Sequence, residues 1–158
     1  MSRACRILLA EDNPGDVYLV REALNRQSLF YELTVATDGE QAWRLVEAAD
    51  TGSVAEFDIC MLDLNLPVRP GLEVLTRIRS CRGAMAKALV VIVTSSNLPQ
   101  DRAAAALGRA DYYFCKPSSL YSFLQLGQIV SELWTERMPS SGNPSSFQTG
   151  TGEALSNE

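Results

Sequence analysis

Side chains that can do chemistry follow or end four of the apolar stretches in this sequence. Glu11 and Asp12 follow the first stretch and Asp63 follows the third, while Thr94 ends the fourth and Lys116 follows the fifth. Three converging carboxylates repel one another, so a hard cation is needed to hold them together. Oxygen ligands, with no histidine or cysteine beside the acids, favour Mg²⁺ over zinc. An aspartate, a magnesium ion, a hydroxyl and an ammonium together are typical of a phosphoryl-transfer site.

Each of these residues has an ordinary structural explanation when it is taken alone. Asp12 could cap a helix, Thr94 could be a strand-end hydroxyl, and Lys116 could be a surface charge. Their common position at the ends of strands argues against five separate coincidences. In an open parallel sheet, ligands bind beyond the carboxyl ends of the strands, where the strand order reverses. We therefore expect these side chains to share one edge of a sheet.

The composition excludes several other kinds of chemistry. The chain has 158 residues, of which 46% are hydrophobic and 21% charged, as is typical of one globular domain. It contains no histidine, which excludes a Ser-His-Asp triad, a histidine-ligated zinc site and a phosphohistidine on the chain itself. The net charge of −5 argues against broad binding to nucleic acid or anionic lipid.

The remaining composition indicates where the protein works. Four cysteines occur without a CxxC pair, so we expect reduced thiols rather than metal ligands or disulfides. No stretch is apolar for long enough to be a signal peptide or a membrane span. We therefore expect a cytoplasmic protein that does not bind a membrane.

Apolar periodicity alternates along the chain between two and 3.6 residues, which predicts alternating strands and helices. Strands are predicted at residues 5–10, 32–35, 57–62, 89–93 and 112–115. Five helices are interleaved with them, the first capped by Asn13 with Pro14 in its first position. Residues 4–138 make up this domain. Residues 139–158 are rich in serine and glycine, which predicts a flexible polar tail.

This alternation predicts an α/β fold, a doubly wound parallel sheet with helices on both faces. A flavodoxin-like five-stranded sheet of order 2-1-3-4-5 and half of a dinucleotide-binding fold both fit the pattern. No GxGxxG follows the first strand, so the flavodoxin-like order with five helices is preferred.

Four motifs in this order resemble the receiver domain of two-component response regulators. They are Leu8-Leu9-Ala10-Glu11-Asp12-Asn13, Asp63-Leu64-Asn65-Leu66-Pro67 with Gly71, Val93-Thr94-Ser95, and Lys116-Pro117. Any one of these motifs is a weak signal, but all four with matching intervals are a strong one. The resemblance covers about residues 4–138. It implies a response regulator that takes a phosphoryl group from a histidine kinase, modifies only itself and is not otherwise an enzyme.

The resemblance also implies a role for each matching residue. Asp63 is the implied phosphoacceptor, Lys116 its ionic partner and Thr94 a donor to a phosphoryl oxygen. The implied Mg²⁺ ligands are the side chains of Asp12 and Asp63 and the backbone carbonyl of Asn65, with Glu11 acting through a water.

Further positions bear on switching and on the lifetime of the phosphoaspartate. Tyr113 matches an aromatic residue that turns inward on activation, although it could simply be an edge-strand tyrosine packed on the last helix. Asn65 and Ser96 flank the expected path of the water that attacks the phosphoaspartate. The family also implies a cis Lys116–Pro117 bond. Where many receivers carry an acid before the glycine of the third loop, this chain has Pro70, which puts the shape of that loop in doubt.

A narrower resemblance concerns the partner. Asp16 in Asn13-Pro14-Gly15-Asp16, together with the absence of an output domain, resembles small single-domain regulators paired with phytochrome-type histidine kinases. Such a chain would signal by protein contact. We expect a homodimer, or partner docking, through the face made by the fourth helix, the fifth strand and the fifth helix.

Three other classes of protein share part of this pattern. A haloacid-dehalogenase-type phosphatase also uses an aspartate nucleophile and magnesium, but it needs a second acid where this chain has Asn65. A phosphorylation-independent docking module, or pseudo-receiver, predicts that an acid or the lysine is missing. A DNA-binding regulator would need a recognition helix after Met138, and nothing there resembles one.

Overall fold

The computed structural model describes residues 3–138, which form one parallel sheet between two layers of helices. The strands are β1 (Cys5–Ala10), β2 (Tyr31–Ala36), β3 (Ile59–Leu62), β4 (Leu89–Thr94) and β5 (Tyr112–Cys115). The helices are α1 (Pro14–Asn25), α2 (Gly39–Asp50), α3 (Gly71–Arg79), α4 (Pro99–Leu107) and α5 (Leu120–Arg137), with a short 3-10 helix at Ala84–Lys87. None of the helices within residues 3–138 has both the length and the hydropathy needed to cross a membrane.

The sheet has the order β2-β1-β3-β4-β5, and all its neighbouring strands are parallel. The flavodoxin-like fold with five helices is therefore confirmed. The order reverses between β1 and β3, so the carboxyl ends of these two strands face each other across a crevice. The proposed 139–158 tail lies outside the described residues.

Alternating side chains of the central strands feed two separate apolar cores. Leu8 of β1 packs with residues of α2, α3 and α4, whereas Ile7 and Leu9 pack with residues of α1 and α5. Every residue of β3 and β4 is buried, as expected for strands covered on both faces. Two helices thus lie on one face of the sheet and three on the other.

The helices differ in how firmly apolar burial anchors them. Helices α2, α3 and α5 each bury four residues, whereas within the described structure α4 buries only Ala105. Burial of apolar surface is the main force that holds a helix on a sheet. Helix α4 is therefore the most weakly anchored of the five.

Three details of the predicted elements differ from the structure. Strand β3 begins at Ile59 rather than at residue 57, because the Phe57 N–H is directed to the Met85 Sδ, 3.3 Å away. The helical spacing of Val17, Val20, Leu24 and Gln27 predicts a first helix that reaches Gln27, whereas α1 ends at Asn25. The 3-10 helix at Ala84–Lys87 was not predicted, since a single turn leaves no periodic signal.

Candidate functional site

Loops after β1 and β3 bring three carboxylates to one edge of the sheet. Glu11 and Asp12 directly follow β1, and the Asn13 side chain then starts α1 by accepting the Gly15 N–H at 2.8 Å. Asp63 directly follows β3, and its N–H donates to the Ala10 carbonyl at 3.1 Å. As a result, carboxylate oxygens of Glu11, Asp12 and Asp63 all lie within 4.8 Å of one another. The predicted convergence of these acids is found in the structure.

Lys116 enters this cluster from the end of β5. Its backbone N–H donates to the Thr94 carbonyl at 2.7 Å, which fixes the strand end beside β4. Its ammonium Nζ donates to Glu11 Oε1 at 2.8 Å, to Asp16 Oδ2 at 2.8 Å and to Asp63 Oδ2 at 3.0 Å. The lysine side chain is only 8% exposed, so these charges interact with little water between them.

Burial and ion pairing act in opposite directions on the charged groups of the site. Burial alone would lower the pKa of Lys116, but the hydrogen bonds that its ammonium donates to Asp16, Glu11 and Asp63 outweigh burial and hold the pKa well above its usual value. Burial raises the pKa of Glu11, and its hydrogen bonds to Lys116 and the Asn13 N–H oppose that effect only in part. Lys116 therefore stays positively charged. The carboxylates are already gathered at the place where a cation would bind.

The Lys116–Pro117 bond is trans, since no cis peptide bond occurs among residues 3–138. The expectation of a cis bond was wrong. A trans bond already aims the lysine into the acid cluster, as its contacts with Glu11 and Asp63 show. Nothing then offsets the ordinary preference for trans, which is about 0.5–1 kcal/mol before proline.

Asn65 and Thr94 flank Asp63 on neighbouring strand ends. The Asn65 N–H donates to Asp63 Oδ1 at 3.1 Å, and the Asn65 side chain is exposed. Thr94 is fully buried at the end of β4, and its Oγ1 accepts the Ser96 N–H at 3.4 Å. The hydrogen bonds of the described residues thus tie Asn65 to Asp63 directly but do not tie Thr94 to it.

Tyr113 is held against the β4–α4 loop. Its hydroxyl donates to the Ser96 carbonyl at 2.8 Å, and the Arg102 guanidinium lies 4.5 Å from its ring centroid. The Ser96 hydroxyl itself bonds to the Asp101 carboxylate and accepts the Leu98 N–H, so it serves the start of α4 in this conformation. The tyrosine is half-buried and packs against the core shared by α2, α3 and α4.

The loop after Asp63 is fastened to α2. The Arg69 guanidinium bonds Glu40 Oε1 through Nε at 3.1 Å and Nη2 at 2.9 Å, and it lies 3.9 Å from the Trp43 ring centroid. The Gly39 N–H also donates to the Pro67 carbonyl at 3.0 Å. We refer to this set of contacts, made by Gly39, Glu40, Trp43, Pro67 and Arg69, as the α2 clamp.

Backbone shape in the same loop depends on two special residues. Val68 has a positive φ of 73°, which is unusual for a β-branched residue. Gly71 starts α3, and a Cβ placed on it would lie 2.1 Å from the Asp63 carbonyl oxygen. Pro70, which stands where many receivers have an acid, directly precedes α3. It is in extended conformation and gives the helix no side-chain cap. The loop therefore presses close against the backbone of Asp63.

The acid cluster fits a divalent cation. Glu11, Asp12 and Asp63 supply oxygen ligands only, which suits a hard cation, and Asp12 is exposed, so a route from solvent exists. Lys116 supplies one positive charge to a group that includes these three acids and Asp16, and it therefore leaves an excess of negative charge.

Asp16 is the site residue whose contact was not predicted. In the sequence Asp16 stands out only as part of a motif, yet its carboxylate bonds Lys116 as closely as the Glu11 carboxylate does. Asp16 lies in the first turn of α1, and that turn begins beside the acid cluster. An acid in the first helical turn after Glu11 and Asp12 was therefore the sequence signal that could have placed Asp16 in the site.

Known proteins share the sequence pattern and the fold of this chain. Residues 7–126 match the family model of the response regulator receiver domain. Response regulator Rcp1 of Synechocystis sp. (strain ATCC 27184 / PCC 6803 / Kazusa) is 30% identical over 131 residues, which cover 82% of this chain and 88% of Rcp1.

Two crystal structures have similar folds. The phosphorylated cyanobacterial phytochrome response regulator RcpA has a TM-score of 0.76 and 28% identity, covering 87% of this chain and 98% of RcpA. The Mn²⁺-bound form of Rcp1 has a TM-score of 0.74 and 28% identity, covering 85% of this chain and 96% of that one.

Proposed function

The chain belongs to the response regulator receiver domain family, and we propose that Asp63 is its phosphoacceptor in a Mg²⁺-dependent reaction. One observation carries this proposal: the buried Lys116 ammonium bonds Asp63 Oδ2 at 3.0 Å beside two further acids. The family match over residues 7–126 and the end of α5 at Arg137 support residues 4–138 as the receiver domain.

The donor in this proposal is the phosphohistidine of a histidine kinase. An Asp63 oxygen attacks the phosphorus, an O–P bond forms, and the N–P bond breaks with its electron pair left on the imidazole nitrogen. The imidazole takes up a proton from solvent and leaves neutral. Lys116 neutralises charge on the phosphoryl oxygens, and Thr94 donates its hydroxyl to one of them. The protein catalyses no other reaction in this proposal.

Asp12 and Asp63 would hold the cation with their carboxylates, together with the backbone carbonyl of Asn65, while Glu11 acts through a water. A bound Mg²⁺ would supply charge neutralisation at the phosphoryl oxygens. The oxygen-only ligand set of the acid cluster supports a hard cation here, and the Mn²⁺-bound form of Rcp1 is a related case.

The intact mass of the protein after incubation with phosphoramidate and Mg²⁺ tests this proposal. Wild type should gain one phosphoryl group, and Asp63→Asn should gain none, because its amide cannot act as the nucleophile. Asp38→Asn is the matched control and should behave like wild type, since Asp38 caps α2 and asparagine caps equally well. No gain in wild type that binds Mg²⁺ would contradict the proposal and favour a phosphorylation-independent docking module.

The proposed kinase partner is of the phytochrome type. RcpA is a phytochrome response regulator, and its structure covers 87% of this chain.

The proposed compartment is the cytoplasm, and the free thiols of Cys5, Cys60 and Cys81, all buried, are typical of a reducing environment. Burial raises the pKa of Cys60 to about 12, which keeps that thiol protonated and unreactive.

Phosphorylation would shift the population between two arrangements of the β4–α4 region. In our proposal Thr94 and Tyr113 follow the phosphoryl group and repack the surface of α4, β5 and α5. The Tyr113 hydroxyl already bonds the Ser96 carbonyl two residues after Thr94, which supports a mechanical link between them. Asn65 and Ser96 remain our candidates for tuning the phosphoaspartate lifetime.

The same surface is the proposed contact with a second copy of the chain. Three large apolar side chains on β5 and the first turn of α5 are exposed, namely Tyr112, Leu120 and Tyr121. Large exposed apolar groups on one face are typical of protein contact sites. The α4–β5–α5 face is therefore the proposed homodimer interface.

Sedimentation with and without beryllium fluoride and Mg²⁺ tests the dimer. Wild type should move towards a dimer at micromolar concentration when this phosphoryl mimic is present. Tyr121→Glu should remain a monomer, because the new charge would be buried in the interface. Tyr18→Glu, at a similarly exposed tyrosine on α1, should still dimerise. Identical wild-type profiles with and without the mimic would contradict the proposed interface.

A further inference from the structure

The Lys116 ammonium has no donor left for a new ligand. An ammonium carries three N–H groups, and the three carboxylates of Glu11, Asp16 and Asp63 accept one each at 2.8–3.0 Å. A phosphoryl group on Asp63 would bring further oxygens that compete for the same ammonium. One of the existing hydrogen bonds must then break.

Asp16 is the acceptor that can leave most easily. The Glu11 side chain is 2% exposed, and its other oxygen accepts the Asn13 N–H at 3.1 Å, so it is fixed from two sides. Asp63 can also keep its bond to Lys116, because its Oδ2 still accepts from the ammonium when Oδ1 carries the phosphoryl group. The Asp16 side chain is 23% exposed, and within residues 3–138 its carboxylate bonds Lys116 only, so water can replace that contact. Releasing a partly exposed carboxylate to water costs less than stranding a buried one.

We propose that Asp16 is a positioning residue that holds Lys116 in the unphosphorylated site and competes with the phosphoryl group for it. This inference rests on the proposed function of Asp63. Because the Asp16–Lys116 bond must be given up, Asp16 weakens the binding of a phosphoryl group by the strength of that bond. Asp16 thereby favours the unphosphorylated arrangement.

A purely structural role makes a different prediction. Asp16 lies in the first turn of α1, where a negative charge stabilises the positive end of the helix dipole. If that were its whole role, removing the charge would lower stability and leave ligand binding unchanged or weaker. Tighter binding after removal of the charge follows only from competition for Lys116 or from repulsion of the phosphoryl group.

The test is calorimetric titration of the full chain with beryllium fluoride at a Mg²⁺ concentration that saturates each variant. Asp16→Asn should bind the mimic about fivefold more tightly than wild type, the effect of one partly exposed ion pair. Glu22→Gln removes a charge from the same helix without touching Lys116, and its affinity should match wild type.

A Lys116→Met background separates competition from simple charge repulsion. If Asp16 acts through the lysine, Asp16→Asn should change the affinity less than twofold in that background. An equal gain with and without Lys116, or unchanged or weaker binding by Asp16→Asn alone, would overturn the role assigned to Asp16. If wild type fails to bind beryllium fluoride, the proposed function of Asp63 fails and the inference fails with it.

Discussion

Replacing Lys116 with methionine is expected to lower the free energy of unfolding by about 4 kcal/mol when divalent cations are chelated. The ammonium is 8% exposed and bonds the buried carboxylates of Glu11 and Asp63. Methionine fills a similar volume but carries no charge, so it would leave these acids mutually repelling within 4.8 Å of each other. Urea unfolding in the presence of a chelator measures the loss.

The other lysine of the chain provides the control. Lys87 is exposed at the end of the 3-10 helix, so Lys87→Met should change stability by less than about 0.5 kcal/mol. Saturating Mg²⁺ should restore much of the stability lost in Lys116→Met, because a cation bound only to the folded acids stabilises the folded state. Equal unfolding midpoints for wild type and Lys116→Met in chelator would show that the acid cluster is not under electrostatic stress.

Gly71→Ala is expected to cost about 3 kcal/mol of stability, because the new Cβ meets backbone rather than a flexible side chain. It would lie 2.1 Å from the Asp63 carbonyl oxygen and 3.0 Å from the Leu64 Cα. Relief requires the start of α3 to move away from the end of β3, and that movement displaces Asp63. We therefore expect phosphoryl uptake from phosphoramidate to slow as well.

Gly83→Ala is the matched control for this substitution. A Cβ at Gly83 has Glu56 Oε2 as its nearest neighbour at 3.8 Å, which is an ordinary contact. The free energies of unfolding of the two variants, measured by chemical denaturation, should therefore differ by most of the stability that Gly71→Ala loses. Similar stability of both variants would mean that the β3–α3 junction yields without cost.

The sequence was sufficient for the topology because the relevant signals are local. Strand β4 is an unbroken run of β-branched and leucine residues, and Asn13 followed by Pro14 marks the start of α1 directly. Parallel strands then place their carboxyl ends on one edge, and this rule alone brings Asp12 and Asp63 together. The convergence of the acids follows from pattern and topology without any knowledge of side-chain conformation.

The contacts that were not predicted depend on side chains that cross between distant segments. Asp16 and Lys116 meet across 100 positions of the chain, and nothing in either local sequence specifies that meeting. Arg79 likewise donates to the carbonyls of Ala86, Ala88 and Arg109, which ties the 3-10 helix to the α4–β5 loop. Such contacts follow from rotamers and loop paths, which residue type and spacing do not determine.

Because of the α2 clamp, the two sides of Asp63 differ in rigidity. On one side, Arg69 joins the loop after Asp63 to Glu40 and Trp43, and α2 is anchored by four buried residues. On the other side, α4 buries only Ala105 within residues 3–138. When a site lies between a rigid element and a weakly anchored one, a structural change at the site displaces the weakly anchored element more. A charge added at Asp63 would therefore displace α4 more than α2. The α2 clamp would hold its side of the site in place while α4 shifts.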